Sequence, residues 1–167
     1  PFGEVSTYLR LPAGERRLTI TPANGDTPLI AETVTVAPDT PYTVAVTGEV
    51  GAEADRPPAP LVLNDADDSG DDTVAIRLVH AAPDAPPVNA VLVDDGQPAF
   101  FPVAYGEVDA VFAMIVENPI QIRTAEGDPI GEFSVDATYG DLVTLFATGY
   151  RTPDDEPGQE AFDLLSV

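Results

Sequence analysis

Several residue types are missing from this chain of 167 residues, and each absence excludes a kind of function. There is no cysteine, which excludes disulfide bonds, zinc–thiolate sites and thiol nucleophiles. A single histidine supplies too few ligands for most zinc sites and argues against a histidine-based catalytic triad. No apolar run approaches the ~20 residues that span a bilayer, so we expect no membrane insertion within this chain.

Lysine is also absent, so all seven basic residues are arginines, against 29 acidic residues and a formal net charge of −22. No basic face can be assembled from them to meet phosphates, which excludes nucleic acid as a partner. At 1 M salt the Debye length is only ~3 Å, so the repulsion among these carboxylates is screened. We therefore expect a protein of an extreme halophile, with an acidic mesophilic protein as the alternative.

Apolar residues make up 44% of the chain, which is enough for a packed core, and their pattern predicts an all-β fold. Short β-branched runs are bounded by Gly, Pro, Asn and Asp, and no stretch keeps a helical apolar stripe. The predicted strands are residues 7–11, 18–20, 33–36, 43–46, 74–81, 88–93, 99–103, 108–116, 120–124, 130–135, 142–148 and 161–165. Their number and spacing favour immunoglobulin-like β-sandwich modules.

An internal repeat organises the chain. FGEV at residues 2–5 recurs as YGEV at 105–108, and YTVAVTG at 42–48 aligns with VTLFATG at 143–149. The offset drifts only from 103 to 101, which indicates one structural unit used twice. We expect an incomplete module at 1–64, an acidic linker at 65–72 and a complete module at 73–167.

The first copy has only Pro1 ahead of its FGEV, so we expect it to lack its N-terminal strands. An open sheet edge recruits other strands. Three explanations remain: a fragment of a longer tandem protein, strands borrowed from the second module, or a strand donated by a neighbouring subunit. The expected joint residues are Phe2, Val5, Leu9, Leu11, Val34, Val36, Leu61 and Leu63.

The stretch IRLVHAAPDAPPVN at residues 76–89 resembles secreted and cell-surface domains of bacteria and haloarchaea, known as domain of unknown function 4397. The hallmark of that family is a VRVVHASPDAPAVDV stretch. PFGEVSTYLRLPAG at residues 1–14 resembles a second segment that these domains share, and the second copy departs from it after Val108. The resemblance implies a β-rich extracellular module, often in tandem, and brings no activity with it.

The candidate site residues each have a structural interpretation and a functional one. His80 ends an apolar strand, and its ring could hydrogen-bond Asp84 or the turn backbone, or hold a metal with Asp84. Asp84 itself is expected to shape the bend through bonds to the backbone. The candidates for a Ca²⁺ site are Asp65, Asp67, Asp84, Asp94 and Asp95, although the EF-hand spacing is missing.

These observations favour a non-enzymatic extracellular structural or adhesive protein at the cell surface. Its partners would be other copies of itself or neighbouring modules of a longer surface protein, in a filament or assembly completed by strand donation. The alternative is a surface module that binds Ca²⁺ or glycan through its loops. We expect no cofactor otherwise, and a hydrolase ranks third because any of the many acids could form a carboxylate pair.

Overall fold

The computed structural model describes residues 2–51, 54–66, 73–93, 99, 101–113, 119–153 and 159–167. None of these residues is helical, so no described helix is long and apolar enough to cross a membrane. The fold is all-β, as the alternating apolar pattern predicts. The chain divides into a small unit, Val5–Ala66, and a large unit, Asp67–Val167 together with Pro1–Glu4.

The small unit consists of two antiparallel hairpins that form separate two-stranded sheets. Strand β1 (Gly14–Ile20) pairs with β2 (Ile30–Val36), and β3 (Tyr42–Thr47) pairs with β4 (Ala59–Asn64). The β-branched residues of these strands suit an extended backbone. Few side chains in this unit are buried, because a two-stranded sheet covers little of its own surface.

The described residues of the large unit form seven strands in two sheets. In chain order they are β5 (Val74–His80), β6 (Val88–Leu92), β7 (Val108–Ala113), β8 (Ile120–Thr124), β9 (Pro129–Phe133), β10 (Leu142–Thr148) and β11 (Asp163–Ser166). One sheet has the order β11-β10-β5-β7 and the other β6-β8-β9. All pairs are antiparallel except β5 with β10, which run parallel.

Both sheets of the large unit contribute to one hydrophobic core. Its buried strand residues are Val74, Ile76 and Leu78 of β5, Val88 and Ala90 of β6, Ile120 and Ile122 of β8, and Val143, Leu145 and Ala147 of β10. Successive residues of a strand point to opposite faces, which explains why every second position recurs in this set. Burial of these side chains is the main stabilising contribution in the large unit.

Most of the predicted strands coincide with observed ones, and two do not. Residues 7–11 belong to no strand, so the prediction there is wrong. Residues 99–103 form no strand in their described part either, and only Val103 makes an isolated bridge with Val88. Strand β7 ends at Ala113, and residues 114–116 of the predicted strand lie outside the described residues. From Asp67 onward, the predicted linker lies outside them too.

Candidate functional site in the bend after strand β5

The motif at residues 80–87 forms the bend between β5 and β6. His80 is fully buried at the end of β5, and its ring meets the Tyr105 ring edge-on at a centroid distance of 6.0 Å. The backbone of His80 also joins the next loop, since Gly106 N donates to His80 O at 2.8 Å and His80 N donates to Glu107 O at 3.2 Å. The histidine is therefore part of the core rather than of an open cleft.

Both ring nitrogens of His80 face groups of the bend itself. Nε2 lies 3.0 Å from Pro86 O, and Ala82 N lies 3.3 Å from Nδ1. A carbonyl can only accept and a backbone N–H can only donate, so Nε2 carries the hydrogen and Nδ1 accepts. The contacts thus assign the neutral ring with its hydrogen on Nε2. Of the two partners proposed from sequence, the turn backbone is the one observed.

Asp84 ties the bend to the loop that follows β10. Its Oδ1 accepts from Arg151 N at 2.7 Å, and its Oδ2 accepts from Thr152 N and Thr152 Oγ1, both at 2.8 Å. Burial raises the pKa of Asp84, but the backbone N–H groups of Arg151 and Thr152 and the Thr152 hydroxyl outweigh it and lower that pKa. The carboxylate is therefore held ionised as a clamp between two loops.

This arrangement makes the bend a structural device. The buried His80 ring hydrogen-bonds to the backbone within the bend, and the Asp84 carboxylate hydrogen-bonds to the loop after β10. The polar groups of both side chains are therefore engaged by the protein's own donors and acceptors. Sequence reasoning missed Tyr105, Arg151 and Thr152 as partners. No local pattern marks them, because Arg151 and Thr152 lie 67 and 68 residues from Asp84.

The acidic candidates for a cation site do not converge in the part of the chain that the structure describes. Oδ2 of Asp65 accepts from Thr43 Oγ1 at 2.7 Å and from Tyr8 OH at 3.1 Å. Asp67, Asp94 and Asp95 lie outside the described residues. Among the residues that are described, no three acidic or histidine side chains form a group that could hold a metal ion.

The joint residues predicted from sequence differ in exposure. Four are more than half exposed: Phe2, Val5, Leu9 and Leu11. Val34, Val36 and Leu61 are half-buried in their hairpins. Leu63 is buried, so packing within the small unit already accounts for it.

The two units share a turn geometry at equivalent positions of the repeat. Gly48 follows β3 with φ of 101°, and Gly149 follows β10 with φ of 81°. A Cβ at either position would collide with carbonyl oxygens of the returning chain. The next residue donates across the turn in each case, Glu49 N to Arg56 O at 2.7 Å and Tyr150 N to Glu160 O at 2.8 Å. Glycine is therefore required at both turns for the same steric reason.

The structure is that of an all-β protein in which His80 and Asp84 of the bend bond to the protein's own backbone. Residues 1–91, more than half of the chain, match the family model described as Domain of unknown function (DUF4397), and the chain belongs to this family. The match runs from the small unit through β5 into β6, so it includes the bend. Neither a curated protein nor a solved structure matches the chain.

Proposed function

We propose that this chain is a non-enzymatic structural or adhesive building block at the surface of an extreme halophile. It consists of tandem immunoglobulin-like β-sandwich modules, and the first module is completed by a strand from a neighbour. The two sheets of the large unit share one core, which supports a sandwich there. The small unit supplies two further hairpins, and the glycine turn after β3 repeats the one after β10.

One observation carries the proposal: apolar residues of the small unit are exposed where a folded module would bury them. Val44 and Val46 of β3 and Leu9 ahead of β1 are each at least 41% exposed. Contiguous exposed apolar patches mark interaction sites, and uncovered strand edges mark sites of strand addition. Assembly with a neighbour provides the cover.

Composition supports the location. A net charge of −22 without any lysine suits a surface exposed to molar salt. The bend motif, which is the chain's most distinctive sequence, is engaged in holding loops together. That engagement favours a mechanical role over a catalytic one.

The test combines cell fractionation with electron microscopy of protein purified from molar salt without desalting. We expect the protein in the surface fraction, in ordered filaments or sheets together with neighbouring modules. Detection only in the cytosol would overturn the proposal. Monodisperse particles from a surface extract, at all protein concentrations, would reject the assembly role.

A further inference from the structure

We infer that Asn24 is a site of covalent self-modification: the backbone nitrogen of Gly25 attacks the side-chain amide of Asn24 and converts that residue into isoaspartate and aspartate. The reaction consumes one water molecule and releases ammonia. The inference goes beyond the proposed function, because it concerns the chemistry of one loop and does not depend on where the protein is located or what it assembles with.

The site lies in the loop that joins β1 to β2. Residues 21–29 form this loop, and every one of them is exposed. The loop is closed at its base, where Leu29 N donates to Ile20 O at 2.8 Å and Ile20 pairs with Ile30. Water therefore reaches the loop from all sides, while the paired strands that flank it keep their places when the loop changes.

The side-chain amide of Asn24 is open to attack. Within the part of the chain that the structure describes, no hydrogen bond holds this amide in place. Its carbon, Cγ, and the backbone nitrogen of Gly25 belong to adjacent residues, so the reaction closes a five-membered ring and is intramolecular. Such a step requires only that the two groups reach a suitable geometry, with no binding of a second molecule.

Glycine at position 25 favours this geometry. Without a Cβ, the backbone of Gly25 rotates more freely than that of any other residue, and its nitrogen is not shielded. A turn constrains it, because Gly25 N donates to Pro22 O at 3.1 Å. This hydrogen bond must open before Gly25 N can rotate toward Asn24. Exposed loops open at little cost in free energy, so the turn slows the reaction and does not prevent it.

The bonds made and broken balance without any oxidant or reductant. Gly25 N gives its proton to hydroxide or water and forms a bond to Cγ of Asn24. The bond from Cγ to the amide nitrogen then breaks, and ammonia leaves with the proton it needs. Water opens the resulting succinimide ring at either of its two carbonyl carbons. Opening at the backbone carbonyl gives isoaspartate, and opening at Cγ gives aspartate.

Asn64, at the end of β4, has its groups engaged where those of Asn24 are open. Its Oδ1 accepts from Ala66 N at 2.9 Å. The nitrogen that would attack it belongs to Asp65 and donates to Pro41 O at 2.9 Å. Both reacting groups are thus held by the β3–β4 hairpin, so Asn64 should react much more slowly than Asn24.

The remaining asparagines are protected in two other ways. Asn89 is half-buried within β6, and the next residue, Ala90, is fully buried and paired with Ile122. Asn118 is followed by Pro119, whose nitrogen carries no hydrogen and cannot form the ring. Asn24 is therefore the one asparagine of the sequence that is followed by glycine, and the structure places it in an exposed loop.

The products are compatible with the fold. Isoaspartate adds one atom to the main chain, and residues 21–29 can take it up between the paired Ile20 and Ile30. The new carboxylate lowers the net charge by one unit from −22, close to the carboxylate of Asp26. At molar salt this repulsion is screened. The modified protein should therefore stay folded, and its fraction should rise with time because the ammonia is lost.

The experiment incubates the full chain in molar salt and follows it by peptide mapping with mass spectrometry. We expect the peptide that contains Asn24 to show the mass of an acid in place of an amide, and to separate into an isoaspartate form and an aspartate form. Peptides with Asn64 or Asn89 should stay unchanged over the same period. Conversion of Asn24 that is no faster than that of these two would overturn the inference.

Gly25→Ala tests the attacking group. The added Cβ would make only ordinary contacts with the Pro22 ring, the nearest at 3.7 Å, so the variant should fold. We expect conversion to slow at least about threefold, because alanine restricts the rotation that brings the nitrogen to Cγ. Gly51→Ala is the matched control, since it lies in open space away from any asparagine and should leave the rate unchanged.

The products distinguish attack by Gly25 from direct hydrolysis of the amide by water. Ring opening yields isoaspartate together with aspartate, whereas direct hydrolysis yields aspartate alone. The rate of ring closure should also rise with pH, because the attacking nitrogen must lose its proton. Formation of aspartate without isoaspartate, or an equal rate in the Gly25→Ala chain, would overturn the inference.

A synthetic peptide of residues 21–29, TPANGDTPL, measures how far the turn slows the reaction. In the peptide the turn is not held by flanking strands, so its asparagine should react fastest. Asn24 in the folded chain should be slower by no more than about tenfold, the factor that a weak turn bond in an exposed loop supplies. Full conversion of the peptide beside an unchanged Asn24 in the chain would mean that the fold protects this residue, and would overturn the inference.

Discussion

Strands β10 and β3 occupy equivalent places in the repeat, yet their surroundings differ. Residues 143–147 of β10 are all buried, because the strand has neighbours on both edges and a second sheet against one face. Within the described part of the chain, strand β3 pairs with β4 alone, and its residues 44 and 46 are exposed. The comparison shows that two strands of similar sequence differ in burial, and so in stabilisation, because their neighbouring strands and facing sheets differ.

Truncation of equivalent core positions should separate the two units most strongly. Leu145→Ala removes a fully buried side chain and leaves a cavity, so we expect a loss of about 3 kcal/mol in the free energy of unfolding. Val44→Ala, at the aligned exposed position, should lower it by less than about 1 kcal/mol. Urea titrations in molar salt measure both, and equal losses would contradict the comparison.

The glycine turns should instead make the two units behave alike. Gly149→Ala and Gly48→Ala each place a Cβ against backbone carbonyls at positive φ. We expect each to destabilise its own unit by about 2 kcal/mol. Amide hydrogen exchange, which reports on each unit by itself, is the suitable measurement. Gly51→Ala, where nothing lies near the added Cβ, is the control.

The Asp84 clamp is present in the large unit, and the described residues of the small unit show no counterpart of it. The lowered pKa means that ionised Asp84 stabilises the fold above the unfolded value of about 3.8. This stabilisation is lost as the pH falls through the still lower folded value. Asp84→Asn should therefore lower stability by about 1 kcal/mol at neutral pH, a value reduced by its exposure to solvent.

The difference between Asp84→Asn and wild type should shrink as the pH falls below about 4. Thermal unfolding measured from pH 7 to pH 2.5 in molar salt provides the test. Asp128→Asn, on an exposed turn, serves as the control for general charge effects. A difference that does not depend on pH would show that the hydrogen bonds of Asp84 do not need its charge.

The smallest expected effect concerns the turns that precede β3 and β10. Asp39 has φ of 52°, and Gly140 at the aligned position has φ of 88°. Asp39→Gly should change the free energy of unfolding by no more than about 0.5 kcal/mol. Aspartate already tolerates the left-handed backbone region, and the gain from glycine there is offset by the added entropy of the unfolded chain. Gly140→Val should lower stability by clearly more, because a β-branched residue does not tolerate positive φ. Paired melting curves distinguish the two.

Much of the fold could be predicted from alternation and turn residues, which act locally. The strands at 18–20, 33–36 and 142–148 were found in this way, and so was the structural interpretation of His80. Residues 7–11 have the same apolar character but form no strand. The apolar pattern reports only that the side chains suit a pleated surface. A strand forms only where a neighbouring strand provides hydrogen-bonding partners.

The long-range contacts could not be predicted. The parallel pairing of β5 with β10 joins residues nearly 70 positions apart, and the clamp from Asp84 to Arg151 spans the same distance. Alternation is identical for parallel and antiparallel neighbours, so it says nothing about which strand lies beside which. The partners of the bend were missed for this reason.

By itself, the sequence determined the all-β class, the acidic surface, the absence of thiol chemistry and the glycine turns, because each depends on residue type or local backbone geometry. The tertiary structure alone decided which strand edges are paired, which valines are buried, and that His80 and Asp84 are used to hold the bend. Burial and pairing are properties of two segments meeting, so they depend on the whole chain's arrangement.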